Sequence, residues 1–525
     1  MKHFKLKLAV AVVSSALLSS CLKSELKTIE VSKIDTLIIN GQVYTGEVEN
    51  AQNLDIAVCQ QVICGISDPK KRNEYSAKKI IDAQGKIVSP GFIDPHTHSL
   101  TELLSKDKNH NLNYLTQGVT TVVNGNDGGG PVDIKKVSKQ LTANGIGTNV
   151  ALYVGHGSLR EKVIGREQRF ATPAELLAMQ TLLAQGMKDG AIGLSTGLYY
   201  VPGSYANTDE VIALAKVASQ YNGVYDTHLR DESTFTVGFI SALDEAINIA
   251  KQANIHLHLA HIKALGVDVW GQSNTAIAKI EQAQRAGVSI SADQYPWLAS
   301  GTKLRSAVMP KWLMADSKAA FHQRLNHLDF ADRITAEISE NIRRRGGPEA
   351  LYITEFKDPE LVSLNLKQVA DLKNLTVVET AIALVQQGEV RVASFNMAPE
   401  DVENFMVQPW VVTSSDGTNG HPRKYASFPK KYQSYVVKKK LLSLGEFITR
   451  SSSKTAKLLG LEKRGTLKKG YQADIIIFDP VNFSAKADFS QWNQLSTGIE
   501  HVLVNGNLTI SDSVFQKILA GEVVK

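Results

Sequence analysis

The chain has 525 residues, of which 43% are hydrophobic and 21% are charged, and its net charge is +6. These values are ordinary for a globular protein with one large domain or several smaller ones. Lys2, Lys5 and Lys7 account for three of the positive charges, and the remaining balance is too mild for a nucleic-acid partner, which we therefore exclude.

The first twenty residues resemble a targeting segment. The basic stretch MKHFKLK precedes the apolar stretch LAVAVVSSALL, which is too short to remain in a membrane as a spanning helix. The segment ends in LSSC, which resembles a bacterial lipobox, where small residues precede a cysteine that is lipidated and becomes residue one. We predict a lipoprotein signal peptide over residues 1–20, with Cys21 holding the chain on a bacterial envelope membrane, facing the periplasm or the exterior. The alternative is an ordinary cleaved signal with an incidental cysteine.

Both ends of the remaining chain are rich in short β-like stretches. The N-terminal end includes TLIINGQVYT and LDIAVCQQVICGI, and the C-terminal end includes YQADIIIFDP and IEHVLVNGNLTI. Neither end is predicted to bury a core alone, so we predict one small β-sandwich built from residues 21–88 and 461–525. Cys59 and Cys64 flank a predicted hairpin in a compartment that could be oxidising, and the sequence leaves open whether they form a disulfide.

Between the ends, eight short apolar stretches each run into polar residues or glycine. They are IVSPGFIDPHTH, VTTVVNGND, VALYVGHG, AIGLSTG, VYDTHLR, IHLHLAHIK, VSISADQYP and WVVTSSDG. Helix-like segments lie between most of them, such as the one where Thr172 and Glu175 form a capping box around Pro173. Strands that alternate with helices predict an α/β fold, and eight such units predict a (β/α)₈ barrel over residues 89–460. A stretch from about 303 to 405 is too long for a loop and is predicted to be an inserted subdomain between strands seven and eight.

Reactive side chains follow the C-terminal ends of these strands, which is where the active sites of such barrels collect. In strand order they are His96 with His98, Asp127, His156, His228, His261 with Lys263, Tyr295, and Asp416. Because residues i and i+2 of a strand share a face, His96 and His98 can point together into the barrel mouth. Two neutral imidazoles on one side are typical of a divalent-metal site.

Four histidines need a separate interpretation. His256 and His258 repeat the same spacing at the start of their strand, so we interpret them as packing residues low in the barrel. His261 is an odd number of residues away from both, so its side chain points to the other face of the strand, and it lies at the functional end of that strand. His156 is either a loop histidine or a group behind the metal ligands, and the sequence leaves that choice open.

Ten stretches between about residue 35 and residue 510 match one family. They are PGFIDPHTH, GVTTVVNGN, YVGHGSLR, GLSTGLYYVPGSYA, THLRDE, AHIKALG, DQYP, SFNM, SSDG followed by HPR, and GTLKKGYQADIIIFDP. With them the chain resembles the amidohydrolase superfamily, and more narrowly its D-aminoacylases, or N-acyl-D-amino-acid deacylases. The resemblance implies a barrel with a flanking β-sandwich and metal-dependent hydrolysis of the amide bond of small N-acyl-D-amino acids that bear a free carboxylate. Preference for the D form comes only from this resemblance.

The resemblance also implies the metal ligands. His228 and His261 would hold one tightly bound zinc ion, and His96 and His98 would belong to a second, weaker position. Zinc held by neutral imidazoles lowers the pKa of its water from 15.7 to about 7. The implied ligands therefore suit a hydrolase that works at neutral pH.

The remaining implied roles concern the substrate. Asp416 is similar to the acid and base that takes the proton of the attacking water and hands it to the departing nitrogen. Lys263, Tyr295 and Arg423 are similar to the residues that grip the substrate carboxylate. Chemistry agrees, since Arg offers a planar fork to a carboxylate and Lys adds a point charge.

Asp127 departs from the family, which usually has a cysteine ligand in a GNCG stretch. Aspartate is harder than a thiolate and has two oxygens, so it can reach two ions at once, with one histidine pair on each side. We predict that Asp127 coordinates metal and raises the occupancy of the His96/His98 position. The alternative is that it only hydrogen-bonds the glycine-rich loop and that one ion suffices.

A second departure concerns the substrate. The order Ser300-Gly301-Thr302 replaces the usual Gly-Ser-Thr and displaces a serine that could contact substrate. One alternative function is therefore a dipeptidase or cyclic-amide hydrolase of the same superfamily, although AIGLSTG lacks the strand-four lysine that relatives with a carboxylated lysine need. The other is an inactive binding lipoprotein, against which the retained histidines argue.

The anchor is tested at the mature N-terminus. We expect mass spectrometry of the native protein to find Cys21 as residue one, diacylated and amide-capped, since two or three acyl chains anchor durably where one does not. A soluble product that starts at another residue would contradict the prediction.

Overall fold

The (β/α)₈ fold is confirmed. This computed structural model describes Met1 and residues 32–525, so the predicted signal segment and Cys21 lie outside the described residues. Eight parallel strands form the barrel: β1 (Phe92–Asp94), β2 (Val119–Asn124), β3 (Asn149–Gly155), β4 (Gly193–Gly197), β5 (Val224–His228), β6 (His256–Leu259), β7 (Ile290–Gln294) and β8 (Val411–Thr413). Each barrel strand pairs in parallel with the next barrel strand, from β1 to β8.

The ring closes just beyond the ends of β1 and β8. A parallel bridge joins Thr97 to Gly417, and the backbone N–H of Asp416 donates to the carbonyl of His96 at 2.9 Å. Closure therefore occurs at the C-terminal rim, among the predicted metal ligands.

The sequence predicts one strand in the apolar run from residue 87 to 93, but the structure divides this run into two strands. Ile87–Pro90 pairs antiparallel with Ile475–Phe478 in the sandwich, and only Phe92–Asp94 enters the barrel. Gly91 lies at the break, where a Cβ atom would meet the hydroxyl of Thr120 at 2.1 Å. The chain passes from sandwich to barrel where only glycine fits.

Helices surround the barrel as the alternating pattern predicts. They are Leu100–Leu104, Leu112–Leu115, Ile134–Asn144, His156–Val163, Pro173–Lys188, Thr208–Ser219, Phe239–Ala253, Ser273–Arg285, Pro399–Met406, Arg423–Lys431, Leu444–Ser451 and Ser453–Leu458, with short turns at Gly203–Tyr205 and Tyr432–Lys438. The predicted capping box between Thr172 and Glu175 begins Pro173–Lys188. Within the described residues, none of the helices has the length and apolar character needed to cross a membrane.

Both chain ends build one β-sandwich, as predicted. Its smaller sheet contains Val62–Ser67, Asp55–Cys59, Ser32–Ile39 and Tyr75–Asp82, with a short helix at Pro69–Glu74. Its larger sheet contains Val514–Phe515, Asn507–Ser511, Ile499–Val504, Ile475–Phe478, Ile87–Pro90, Gln42–Val43 and Gln52–Asn53. The structure also decides the cysteine question, since Cys59 and Cys64 form a disulfide between adjacent strands.

The segment between β7 and β8 forms a subdomain with its own core. Its three-stranded antiparallel sheet contains Ala299–Lys303, Arg391–Phe395 and Leu351–Glu355. Its helices are Leu304–Val308, Lys311–Met314, Lys318–Leu325, Leu328–Phe330, Ala331–Arg344, Pro348–Ala350, Pro359–Leu361, Leu366–Lys373 and Val377–Gln387. Twenty buried hydrophobic residues pack together in it, apart from the barrel core.

Phe92 joins the barrel to the sandwich. Its ring is fully buried and packs 5.4 Å from the ring of Phe428, 5.3 Å from that of Phe447 and 6.4 Å from that of Phe478. The first two rings lie on barrel helices and the third on a sandwich strand, so one side chain fills the space where the two units meet.

Removing this ring should destabilise the whole protein. We expect Phe92→Ala to lower the free energy of unfolding by about 3–5 kcal/mol, because a buried aromatic leaves a cavity. The matched control is Phe170→Ala, whose ring is 64% exposed, and which should change stability by no more than about 0.5 kcal/mol. Equal effects of the two substitutions in chemical denaturation would contradict this account.

Candidate metal centre and substrate pocket

The barrel brings the predicted ligands together at its C-terminal rim. His96 lies two residues beyond β1, and His228 is the last residue of β5. His261 lies two residues beyond β6, Asp127 three beyond β2 and Asp416 three beyond β8. Because the ends of parallel strands meet at one rim, residues far apart in the chain become neighbours there.

Three of these residues have a left-handed backbone. The φ angles are 55° at Asp127, 35° at His261 and 47° at Asp416. Non-glycine residues rarely adopt this conformation, and it persists where surrounding contacts hold it. The backbone N–H of His261 donates to Oδ1 of Asp293 at 3.1 Å, and that of Asp416 donates to His96. These bonds fix the direction in which the side chains point.

Asp127 lies at the centre of four imidazoles. Its Oδ1 is 3.5 Å from Nε2 of His96 and 3.3 Å from Nε2 of His261. The same oxygen is 3.8 Å from Nδ1 of His228, and Oδ2 is 3.5 Å from Nε2 of His98. Burial raises the pKa of Asp127, but His96 and His261 outweigh burial and hold it well below its usual value. The carboxylate is therefore ionised among the four rings.

These residues fit a divalent metal ion. Among the described residues, neither ring nitrogen of His96 nor Oδ1 of Asp127 has a hydrogen-bond partner, although all three atoms are buried. Ligand atoms 2.0–2.1 Å from a tetrahedral ion lie roughly 3.3 Å from one another, close to these separations. Ligand atoms of His96, Asp127, His261 and Asp416 all lie within 4.8 Å of one another. Burial lowers the pKa of His228 to about 4, which keeps that imidazole neutral. For His261, burial is outweighed by the carboxylates of Asp416, Glu232 and Asp127, which raise the pKa to about 9. Binding of an ion would release the proton of His261, because a ligating imidazole must be neutral.

Glu232 belongs to the site, and we did not predict it. Its Oε1 is 3.3 Å from Nδ1 of His261, and its Oε2 is 3.6 Å from Nε2 of His228. A carboxylate that accepts the outer N–H of a histidine turns the other ring nitrogen towards the metal. Its position four residues after His228, within THLRDE, was the only signal in the sequence.

Asp416 connects the metal cluster to Arg423. Its Oδ1 lies 3.2 Å from Nε2 of His98 and 3.6 Å from Nε2 of His96, and its Oδ2 lies 2.7 Å from Nη1 of Arg423. Burial raises the pKa of Asp416, but the charges of Arg423 and His261 hold it well below the usual value. The carboxylate is ionised at neutral pH and can accept a proton.

His258 does more than the packing that we predicted. Its Nε2 is 3.0 Å from Oδ2 of Asp293, which lies 3.7 Å from Nδ1 of His96. The carboxylate of Asp293 therefore lies between His258 and His96, a histidine of the metal cluster. His256 does agree with packing, since its ring nitrogens bond two serine hydroxyls at the other end of β6.

His156 lies outside the cluster. It is buried at the start of His156–Val163, and its Nε2 is 2.8 Å from Oε1 of Glu210. Arg160 donates to the other oxygen of Glu210 at 2.6 Å. The ring therefore belongs to a buried ion-pair network at the start of a helix. It is neither a loop histidine nor a group behind the metal ligands, the two interpretations that the sequence left open.

The three predicted carboxylate-binding residues lie together. The Tyr295 ring is 5.8 Å from Nζ of Lys263 and 4.8 Å from the guanidinium carbon of Arg423. The Tyr295 hydroxyl is buried and has no hydrogen-bond partner among residues 32–525. Lys263 donates to Glu232 at 2.7 Å, and Arg423 pairs with Asp416, so each barrel cation already has an acidic neighbour.

A pocket of about 400 Å³ opens over the cluster. This volume suits a small molecule. Ser300, Gly301 and Thr302 line it, and the carbonyl of Gly301 accepts from Nη2 of Arg423 at 3.1 Å. The stretch that departs from the family therefore still lies against the substrate space.

Comparisons with known proteins agree with this geometry. A model of the amidohydrolase family matches residues 87–509. An N-acyl-D-aspartate deacylase of Alcaligenes xylosoxydans xylosoxydans is 31% identical over 81% of this chain and 82% of its own. A D-aminoacylase structure with a binuclear metal centre has a TM-score of 0.80 and 28% identity, covering 94% of this chain and 100% of the other. An N-acyl-D-glutamate deacylase from Bordetella bronchiseptica, complexed with zinc and a phosphonate inhibitor, has a TM-score of 0.79 and 27% identity over the same shares.

The position of Asp127 predicts its effect on metal content. We expect Asp127→Asn to lose bound metal in elemental analysis, because the amide lacks the charge that the four imidazoles surround. Asp127→Cys should keep one ion and lose occupancy of the His96/His98 position, since a thiolate offers one donor atom. Full metal content in Asp127→Asn would show that the carboxylate is not a ligand.

Proposed function

The chain belongs to the amidohydrolase family, and we propose that it hydrolyses the amide bond of N-acyl-D-amino acids with the help of zinc. It is a metal-dependent hydrolase of carbon–nitrogen bonds other than peptide bonds. One observation supports the substrate most directly: four histidines and two aspartates converge beside a pocket whose wall carries Arg423. A metal cluster and a carboxylate grip in one small pocket suit an acylated amino acid.

Two sets of residues would hold the metal. His228 and His261 would bind one ion, and His96 and His98 a second, with the two oxygens of Asp127 between the pairs. Metal bound there would make hydroxide available at neutral pH and polarise the acyl carbonyl. Glu232 would orient the first pair, and Asp293 would face the outer nitrogen of His96.

Asp416 is the proposed acid and base. Its Oδ1 faces the histidine cluster and its Oδ2 faces Arg423, so the carboxylate lies between the metal side and the substrate side of the pocket. In the proposed cycle Oδ1 takes the proton of the attacking water and later gives it to the leaving nitrogen. The ion pair with Arg423 keeps the carboxylate ready to accept that proton.

Arg423, Lys263 and Tyr295 are the proposed grip for the α-carboxylate. Arg423 presents a planar fork, Lys263 adds charge, and the Tyr295 hydroxyl is a buried donor without a protein partner among the described residues. Lys263 and Arg423 line the pocket together with Asp416, and the Tyr295 ring lies against both cations. A carboxylate held there would place the scissile amide next to the metal cluster.

We also propose that Cys21 anchors the enzyme to a membrane of a bacterial envelope. The support is the sequence pattern of residues 1–21, with its basic start, short apolar core and small residues before the cysteine. The metal-binding barrel would then face the periplasm or the exterior.

The substrate is tested with zinc-loaded enzyme and paired compounds. We expect hydrolysis of N-acetyl-D-methionine, slow or no hydrolysis of its L enantiomer, and weak activity on N-acetyl-D-methionine amide, which lacks the carboxylate. Arg423→Ala should lower kcat/KM for the carboxylate substrate by roughly ten- to two-hundred-fold beyond its effect on the amide, because a charge-assisted bond is lost.

The amide substrate is the control for the other contact of Arg423. In Arg423→Ala, kcat/KM should fall for both substrates because Asp416 loses its ion-pair partner. Only the acid substrate should also lose a contact to its carboxylate. An equal loss of kcat/KM on both substrates would show that Arg423 acts only through Asp416, and it would contradict a role of Arg423 in binding the carboxylate.

A further inference from the structure

The inserted subdomain contributes a group of cations to the wall of the substrate pocket. They are Lys303, Arg305, Lys311, Arg345 and Arg391. The barrel itself contributes three cations to this wall, and each has a carboxylate within 4 Å: Arg166 is near Glu161, Lys263 near Glu232 and Arg423 near Asp416. The charge that the subdomain adds is therefore extra to the proposed grip on the α-carboxylate.

Two of the subdomain's cations are neutralised inside the subdomain. Lys303 lies 2.5 Å from Oε2 of Glu389, and Arg391 lies 3.6 Å from Oε1 of the same residue. In contrast, Lys311 and Arg345 have no carboxylate within 4 Å in the part of the chain that the structure describes. Arg305 has none either and is half-buried like Lys311, but among the described residues only Lys311 and Arg345 pair a missing acid with a contact to Tyr199.

Lys311 and Arg345 converge on Tyr199. The ammonium of Lys311 lies 4.2 Å from the centre of the Tyr199 ring, and Nη2 of Arg345 donates to its hydroxyl at 3.4 Å. That ring is 5.7 Å from the ring of His228. One aromatic ring therefore separates the two cations from the metal cluster.

Nearby protein groups hold Arg345 and the Tyr199 ring in place. Arg345 is 3% exposed, and its Nε donates to the carbonyl of Ala307 at 2.9 Å. The Tyr199 hydroxyl donates to the carbonyl of Ser306 at 3.1 Å, which fixes the ring under Lys311. Asp231 acts on Lys311 only through space, and its oxygens already accept from the backbone of Ser233, Thr236 and Gly238.

Such an arrangement is costly without a ligand. The charge of the buried Arg345, and to a smaller degree that of the half-buried Lys311, is unfavourable unless it is paired, and a cation–π contact offsets only part of that cost. Burial lowers the pKa of Lys311 to about 8, so the ammonium is still mostly charged at neutral pH. Two cations that line a pocket and lack acidic partners are suited to bind an anion.

We propose that Lys311 and Arg345 form a second anion subsite, and that the preferred substrate carries a second carboxylate besides its α-carboxylate. This proposal rests on the proposed function and narrows it to dianionic N-acyl-D-amino acids. The second carboxylate belongs either to the amino-acid side chain or to the acyl chain, and both present the same chemistry to the subsite.

Two matched pairs of substrates distinguish these sources. One pair is N-acetyl-D-glutamate and N-acetyl-D-glutamine, and the other is N-succinyl-D-alanine and N-succinamoyl-D-alanine. Within each pair only a carboxylate and an amide differ. We expect zinc-loaded wild-type enzyme to prefer the acid of one pair by roughly tenfold or more in kcat/KM, and that pair identifies the source.

Substitution of Lys311 tests the subsite. Lys311→Met should lower kcat/KM for the preferred acid by roughly ten- to one-hundred-fold while changing the matched amide by less than about threefold, and Lys311→Arg should restore part of the preference. The matched control is Lys303→Met, which removes a pocket lysine that Glu389 already neutralises and should leave the acid-to-amide ratio unchanged.

The outcomes separate the two proposals. If wild-type enzyme hydrolyses acids and amides equally, or if Lys311→Met lowers both equally, the second subsite is overturned and the proposed function stands. If the metal-loaded wild type hydrolyses none of these compounds nor N-acetyl-D-methionine, the proposed function itself fails. Should Lys311→Met not fold, the wild-type ratios and Lys311→Arg still decide.

Discussion

A buried carboxylate surrounded by imidazoles imposes the tightest constraint on this protein. The oxygens of Asp127 lie within 4 Å of ring nitrogens on four histidines, which come from the ends of three barrel strands. Charge in a low-dielectric interior must be compensated, so these strands have to end at one place. A closed parallel barrel achieves this, because the C-terminal ends of all its strands meet at one rim. The bond from Asp416 N–H to the carbonyl of His96 closes the ring where the ligands lie.

Charge pairing continues outward from this centre. Glu232 lies between the His228/His261 pair and Lys263, and Asp416 lies between the His96/His98 pair and Arg423. On both sides an imidazole pair is followed by a carboxylate and then a cation. The ionised acids therefore keep the positive charge of a metal cluster apart from the cations that would hold the substrate anion, so that like charges are not adjacent. The inserted subdomain breaks this alternation, because Lys311 and Arg345 bring charge without an acid.

Several parts of the fold and the site are predictable from the chain alone. Apolar stretches that alternate with helical segments predict the barrel, and Thr172 with Glu175 marks one helix start because capping is local. Histidines at strand ends predict a metal site, because the ends of parallel strands share one rim whatever their exact register. By contrast, the break at Gly91 depends on a contact with Thr120, which belongs to another strand. No pattern within residues 87–93 records that contact.

What the sequence by itself determined is therefore the fold class, with an insertion before the last barrel strand, and the existence of the histidine cluster, both of which depend on local periodicity and on order along the chain. Only the tertiary structure decided that Glu232 faces two histidines, that His258 reaches His96 through Asp293, and that Cys59 is bonded to Cys64. It also decided which pocket cations have acidic partners. These are distances between side chains of different strands and subdomains, and they are fixed only when the barrel closes and the insertion packs over its mouth.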